Sequence, residues 1–248
     1  MLISIVNLSR PLSDAVVQKV VRAINVQLER DVEPYWHFGG TCRLEGPTAE
    51  QPDFETLSSL RGEAIIYLLD TVSPDDVLGY HDANARGIPF GCVFTQLSKE
   101  LGEPWSVTLS HEVLELVGDA NVNTFAAEPH PDPRQGGRTV FHWWELCDAV
   151  QNQSHSIDGV RVSDFVLPLY FTPDAEPGGR NNFLGQVGRA KPLDSFGVTA
   201  GGYVGFYDPE LGDHDTFTGG RKARDRMTIK SRAGLTRRSL RYKQQTTR

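Results

Sequence analysis

Sulfur is scarce in this chain. Its three cysteines, Cys42, Cys92 and Cys147, are odd in number and far apart, which argues against a disulfide framework and for thiols kept in a reducing compartment. Long apolar runs are missing too, and none approaches the ~20 residues that a membrane helix needs. The opening MLISIVNLSRPLSD has no basic stretch ahead of a long apolar core with a small-residue cleavage site, so it reads as a first strand and not as an export signal. No internal repeat is visible. Gly201-Gly202 and Gly219-Gly220 lack the strand-to-helix setting of a phosphate loop, and Asp132, Asp174, Asp213 and Asp215 lack the spacing of an EF-hand.

What is present is globular in kind. The 248 residues, 39% hydrophobic and 23% charged, are enough for one large domain with a buried core. Charge is unevenly distributed. Residues 219–248 carry eleven Lys and Arg against the single acid Asp225, a local charge of +10; with −7 for the whole chain, the remainder holds −17. The expected organisation is therefore an acidic domain over 1–218, with subdomains of about 1–120 and 121–218, followed by a basic C-terminal extension over 219–248.

Periodicity predicts an α/β or α+β fold. Leu2 to Leu8 reads as a buried strand. Ser13 caps a helix whose Val16, Val17, Val20, Val21, Ile24 and Leu28 keep the 3.6-residue period. Tyr35 to Leu44 reads as a weaker strand, Gly46 to Asp53 as a loop, and Ala64 to Leu69 as a strand turning at Ser73 to Asp76. Pro89 and Gly91 suit the strand-like run Gly87 to Phe94 to a sheet edge. Trp105 to Val117 is the second clear helix, stopping near Gly118. Asn121 to Gly137 reads as a long loop, Arg138 to Trp144 as a strand, and Asp158-Gly159 as a hairpin turn. Val162 to Phe171 reads as a strand broken at Pro168, and residues 174–202 as Gly-rich loop.

The second helix carries the chemistry. In His111-Glu112-Val113-Leu114-Glu115, positions four apart share a face, so His111 and Glu115 converge while Glu112 is angled beside them. One imidazole and one carboxylate can share a divalent ion that lowers the pKa of water towards ~7, with Glu112 as the base taking the proton. About thirty residues on, Glu145 and Asp148 sit among Trp143, Trp144, Leu146 and Cys147. Carboxylates in such apolar sequence are costly to bury unless paired or metal-bound, which makes Glu145 the third ligand and Asp148 its alternate or a partner orienting His111. Asp119 is a further substitute if the helix continues one turn. His37, His81, His130, His142, His155 and His214 show no metal-like pairing and read as surface or core residues; Cys147 reads first as a small buried residue.

These residues resemble the zincin metallopeptidases, in which a mixed sheet, a backing helix and an edge strand precede a helix bearing HExxH. HEVLE with a downstream acidic pair is similar to the gluzincin arrangement, whose third ligand is a glutamate. The segments HEVLE, ELCD and VSDFVLP, at 111–115, 145–148 and 162–168, also resemble those of a group of uncharacterised phage and bacterial proteins; the resemblance spans about residues 1–205. It implies a metallopeptidase that binds zinc first, with an extended peptide pairing along residues 88–94. Glu115 stands where the superfamily has its second histidine. That makes the site harder and more anionic, and admits Mn²⁺, Ca²⁺ or Mg²⁺ beside zinc. Expected partners are a peptide or protein substrate and, through the basic tail, other subunits of an assembly, with nucleic acid less favoured and no membrane. The expected setting is cytoplasmic or virion-associated. The competing reading is a structural or interaction protein, such as a phage particle component, that keeps the fold without catalysis.

Overall fold

Burial on both faces marks a central parallel strand, and β1 (Leu2–Asn7) has it: Ile3, Ser4, Ile5 and Val6 are all buried. The computed structural model describes residues 1–45, 62–70, 79–83, 87–100, 102–173 and 180–220. They form a mixed α/β structure of two compact units, Met1–Val122 with Ser156–Val162, and Asn123–His155 with Ser163–Arg248. The loop expected at 46–53, the turn at 73–76 and the basic residues 221–248 lie outside the described residues.

In the first unit, α1 (Asp14–Val26) starts at Ser13, whose Oγ accepts from the Val16 backbone N–H at 3.4 Å. Its inner stripe is Val17, Val20, Val21 and Ile24, while Val16 lies off that stripe and is exposed. The helix widens into a π-type segment over Gln27–Val32, which buries Gln27 and Leu28. Tyr35 and Trp36 are helical, in α2 (Glu33–Trp36), and not in the strand their aromatic character suggested; His37, at φ 55°, ends the helix. The strand is shorter: β2 (Thr41–Glu45) follows Gly40, where an added Cβ would stand 3.0 Å from the Met1 carbonyl oxygen.

β3 (Ala64–Leu69), β4 (Gly79–Ala83) and β5 (Pro89–Phe94) complete a five-stranded sheet of order β2-β1-β3-β5-β4 among the described residues. The β1–β2, β1–β3 and β3–β5 pairs are parallel, and β4–β5 is antiparallel. Residues 88–94 therefore do not form the expected edge. β5 is paired on both sides, and Pro89 is tolerated because it is the strand's first residue; β2 and β4 are the edges. The short α3 (Thr95–Glu100) precedes α4 (Trp105–Gly118), whose faces are almost wholly buried and which packs on β4 and β5.

The second unit is built on an antiparallel sheet of β6 (Phe125–Pro129), β7 (Thr139–Trp143), β10 (Tyr203–Asp208) and β11 (Asp213–Thr218), in the order β11-β10-β7-β6. β6 lies inside the segment expected to be loop, and β10 and β11 were not anticipated. β8 (Ser154–Ile157) and β9 (Val160–Ser163) form the expected hairpin, with Asp158 at φ 50° and Gly159 at φ 77°. Two successive left-handed residues make the tight turn that matches strand twist. After Ser163 the chain leaves the strand, and Pro168–Phe171 is a 3-10 turn; α5 (Phe183–Gln186) is a single helical turn. The three cysteines are buried thiols, and burial pushes the Cys42 thiol up to about 12. Among the described residues no helix is long and apolar enough to cross a membrane.

Candidate metal centre

Two elements of the first unit place the candidate residues. α4 begins after the extended Pro104, and Ser106 Oγ donates to the Arg161 carbonyl oxygen at 2.7 Å. Inside the helix, Ser110 Oγ donates to Gln27 Oε1 at 2.7 Å, so the residue before His111 is held by the π-type segment after α1. The helix ends at Gly118, with the Asp119 N–H donating to the Glu115 carbonyl at 2.8 Å. It does not continue through Asp119, so the proviso under which that residue was a substitute ligand is not met.

The i and i+4 spacing brings His111 Nε2 to 3.1 Å from Glu115 Oε1. Both side chains are buried, as is Glu112 between them in sequence. The other element is β4. His81, expected to be an ordinary surface or core residue, has its Nδ1 3.4 Å from Glu112 Oε2 and 3.5 Å from Glu115 Oε2. Gly79 lies two residues earlier and faces the same way. A Cβ there would stand 2.6 Å from Glu112 Oε1 and 2.9 Å from Thr108 Cγ2. A side chain at this position would have to displace the Glu112 carboxylate and the Thr108 methyl group.

The result is two buried contacts that share Glu115, one with His111 along α4 and one with His81 from β4, which also approaches Glu112. Buried carboxylates are costly unless paired or metal-bound. Among the described residues, His111 with Glu115 and, separately, His81 with Glu115 belong to groups of at least three ligand atoms, all within 4.8 Å of one another, that could hold a metal ion. The donors are those that divalent transition ions accept. His81 was missed because GYHDA has no apolar alternation and its neighbours in space are thirty-odd residues away. The signal that could have found it is weak: a glycine and a histidine two apart before the run Gly87 to Phe94.

Glu145, Cys147 and Asp148 belong to the second unit, where all three are buried. Glu145 follows the end of β7, its N–H donating to the Trp143 carbonyl at 3.0 Å, and Asp148 opens a 3-10 turn over Asp148–Val150. Burial, with Asp148's charge nearby, pushes the Tyr170 hydroxyl up, and that hydroxyl donates to the Gly197 carbonyl at 2.9 Å. The other histidines of this unit are apart from one another in role. His142 Nε2 is 2.9 Å from the Pro129 carbonyl oxygen, and burial lowers its pKa. His155 is buried beside Phe183, and His214 stacks on Trp143. Comparison of the chain with protein-family models, with curated proteins and with solved structures finds no match.

Proposed function

We propose that the chain is a metal-dependent hydrolase, a metallopeptidase of zincin-like kind, acting on a peptide or protein. The observation that carries this reading is the convergence of His111 Nε2 and Glu115 Oε1 at 3.1 Å on a buried helix face with Glu112 beside them. The setting supports it: a largely parallel sheet with an antiparallel edge strand, β4, packed against the helix that bears HEVLE. His111 and Glu115 hold the ion. A divalent ion there supplies Lewis acidity, polarising a carbonyl and bringing the pKa of water towards ~7. Zinc is the first candidate, with Mn²⁺, Ca²⁺ and Mg²⁺ as alternatives.

Glu112 is the proton carrier. Its Oε1 lies over Gly79 and its Oε2 is 3.4 Å from His81 Nδ1, and a carboxylate there can accept a proton from water and return it to a leaving amine. The test is metal content. Purified protein is expected to hold a stoichiometric divalent ion that His111→Ala and Glu115→Ala lose; equal content in all three removes the site. The same assay on Glu145→Gln and Asp148→Asn reads the sequence-based expectation for those residues. A wild type that keeps its ion and cleaves no unstructured peptide under any metal gives the non-catalytic, structural reading the advantage.

A further inference from the structure

The two faces of the antiparallel sheet β11-β10-β7-β6 are unlike. Side chains alternate along each strand, and directly paired residues share a face. On the inner face Val140, His142, Val204 and Phe206 are buried, and the acids of these strands, Glu128, Asp208, Asp213 and Asp215, fall on that side too. The outer face carries Phe125, Phe141, Trp143, Tyr207 and His214. Phe125 is 52% exposed, and His214 is exposed as well. Among the strand residues of this outer face there is no Lys, Arg, Asp or Glu, and no Leu, Ile, Val or Met.

The rings form a row across the strands. From β6 to β11 their centroids step by 5.3 Å (Phe125–Phe141), 6.4 Å (Phe141–Tyr207) and 5.1 Å (Tyr207–His214). Each step crosses one strand spacing, about 4.8 Å, which is close to the length of one sugar ring in an extended chain. Beside the row, Gly205 leaves room for Trp143: a Cβ there would stand 3.2 Å from Trp143 Cδ1. The indole reaches across β10 to lie 5.3 Å from the His214 ring, with the two planes 18° apart. Hydroxyls of Thr139, Tyr207 and Thr216 share the face.

This composition discriminates between ligands. Aromatic rings meet the C–H faces of a sugar, while their polar tips and the neighbouring hydroxyls meet its hydroxyl edge. A nucleic acid also stacks on rings but draws on cations for its phosphates, and the described residues of this face supply no Lys or Arg. A permanent subunit interface resembles a protein core cut in half, with aliphatic groups among the rings; here they are missing. The acidic excess of residues 1–218 disfavours an anionic polysaccharide. We infer that the outer face of this sheet is a carbohydrate platform for a neutral β-1,4-linked oligosaccharide, whose equatorial substituents leave flat apolar faces along an extended chain. An α-1,4-linked chain coils away from such a row. The inference is independent of the metal centre.

The experiment uses the full chain, with cellohexaose and N-acetylchitohexaose as β-linked probes and maltohexaose as the α-linked one, read by titration calorimetry. At least one β-linked hexasaccharide is expected to bind, and maltohexaose more weakly. Phe125→Ala and Tyr207→Ala are each expected to weaken binding about tenfold, while Asp215→Asn, on the opposite face, leaves it unchanged. No heat from either β-linked probe at millimolar concentration overturns the inference, as does binding that both ring variants retain in full, or maltohexaose bound as tightly. Oligothymidylate binding that Phe125→Ala abolishes would assign the face to nucleic acid instead, and a dimer in light scattering that the same variant dissociates would assign it to a second copy of the chain; either result overturns the inference. Circular dichroism checks each fold, and if Tyr207→Ala unfolds, the exposed Phe125 decides.

Discussion

Gly79→Ala tests the contact on which the site is built. The new Cβ would meet Glu112 Oε1 at 2.6 Å and Thr108 Cγ2 at 2.9 Å, where ordinary contact begins at 3.4 Å. The carboxylate must withdraw by about 0.8 Å, or the strand must lift from the helix by a similar amount. Overpacking of this kind costs about 1–3 kcal/mol, which for a chain of this size is about 2–4 °C of Tm per kcal/mol. Misplacement of a catalytic group by ~1 Å costs ~10²-fold in rate. The expected result is a lowered Tm and peptide cleavage reduced about a hundredfold. Differential scanning calorimetry and a fluorogenic unstructured peptide read the two quantities. Unchanged Tm and unchanged turnover together would refute the packing of β4 on α4 described here.

Glu112→Gln keeps shape and removes the proton acceptor, so metal content is expected to hold while cleavage falls by ~10²–10⁴; a variant as active as wild type removes Glu112 from the mechanism. Burial pushes the Asp164 carboxyl up to about 6 from 3.8, against hydrogen bonds from Asn182 Nδ2 and the Leu184 N–H that favour its charged form. Because the folded state holds the proton more tightly, this group's contribution is fully present below about pH 4 and is lost as pH rises through about 6, by about 3 kcal/mol. Asp164→Asn is expected to flatten that slope in urea titrations run from pH 4 to 7, and an unaltered slope would place its origin elsewhere. Gly159→Ala, at φ 77° in the hairpin turn, is expected to cost about 1–2 kcal/mol, read from the shift in denaturation midpoint; no shift would mean that the turn relaxes.

Elements whose periodicity is strong were readable before any coordinates. β1, α1, β3, α4 and the Asp158-Gly159 turn fall where apolar spacing and capping put them, because their local preferences agree with their burial. The failures share a cause, which is that pairing decides what composition cannot. β11 is DHDTFT, a strand with two aspartates that exists because β10 offers it a ladder. β6 hides in Asn- and Pro-rich sequence and is drawn out by β7. Pro89 suggests an outer strand by composition, yet it starts an inner one that is paired on both sides. At the site, a single turn of helix declared His111, Glu112 and Glu115. His81 was silent, since nothing in a five-residue strand announces which helix it will face.

The hairpin of β8 and β9 has a further bearing on how the protein comes into being. Its tip, Ser156–Val162, is counted with a unit whose other residues end at Val122, and Arg161 gives the carbonyl that receives the Ser106 hydroxyl near the start of α4. The N-terminal portion is thus discontinuous along the polypeptide. During translation it stays short of a piece until some forty more amino acids have left the ribosome, and a proteolytic or genetic cut after Val122 yields an incomplete body in place of an independent module.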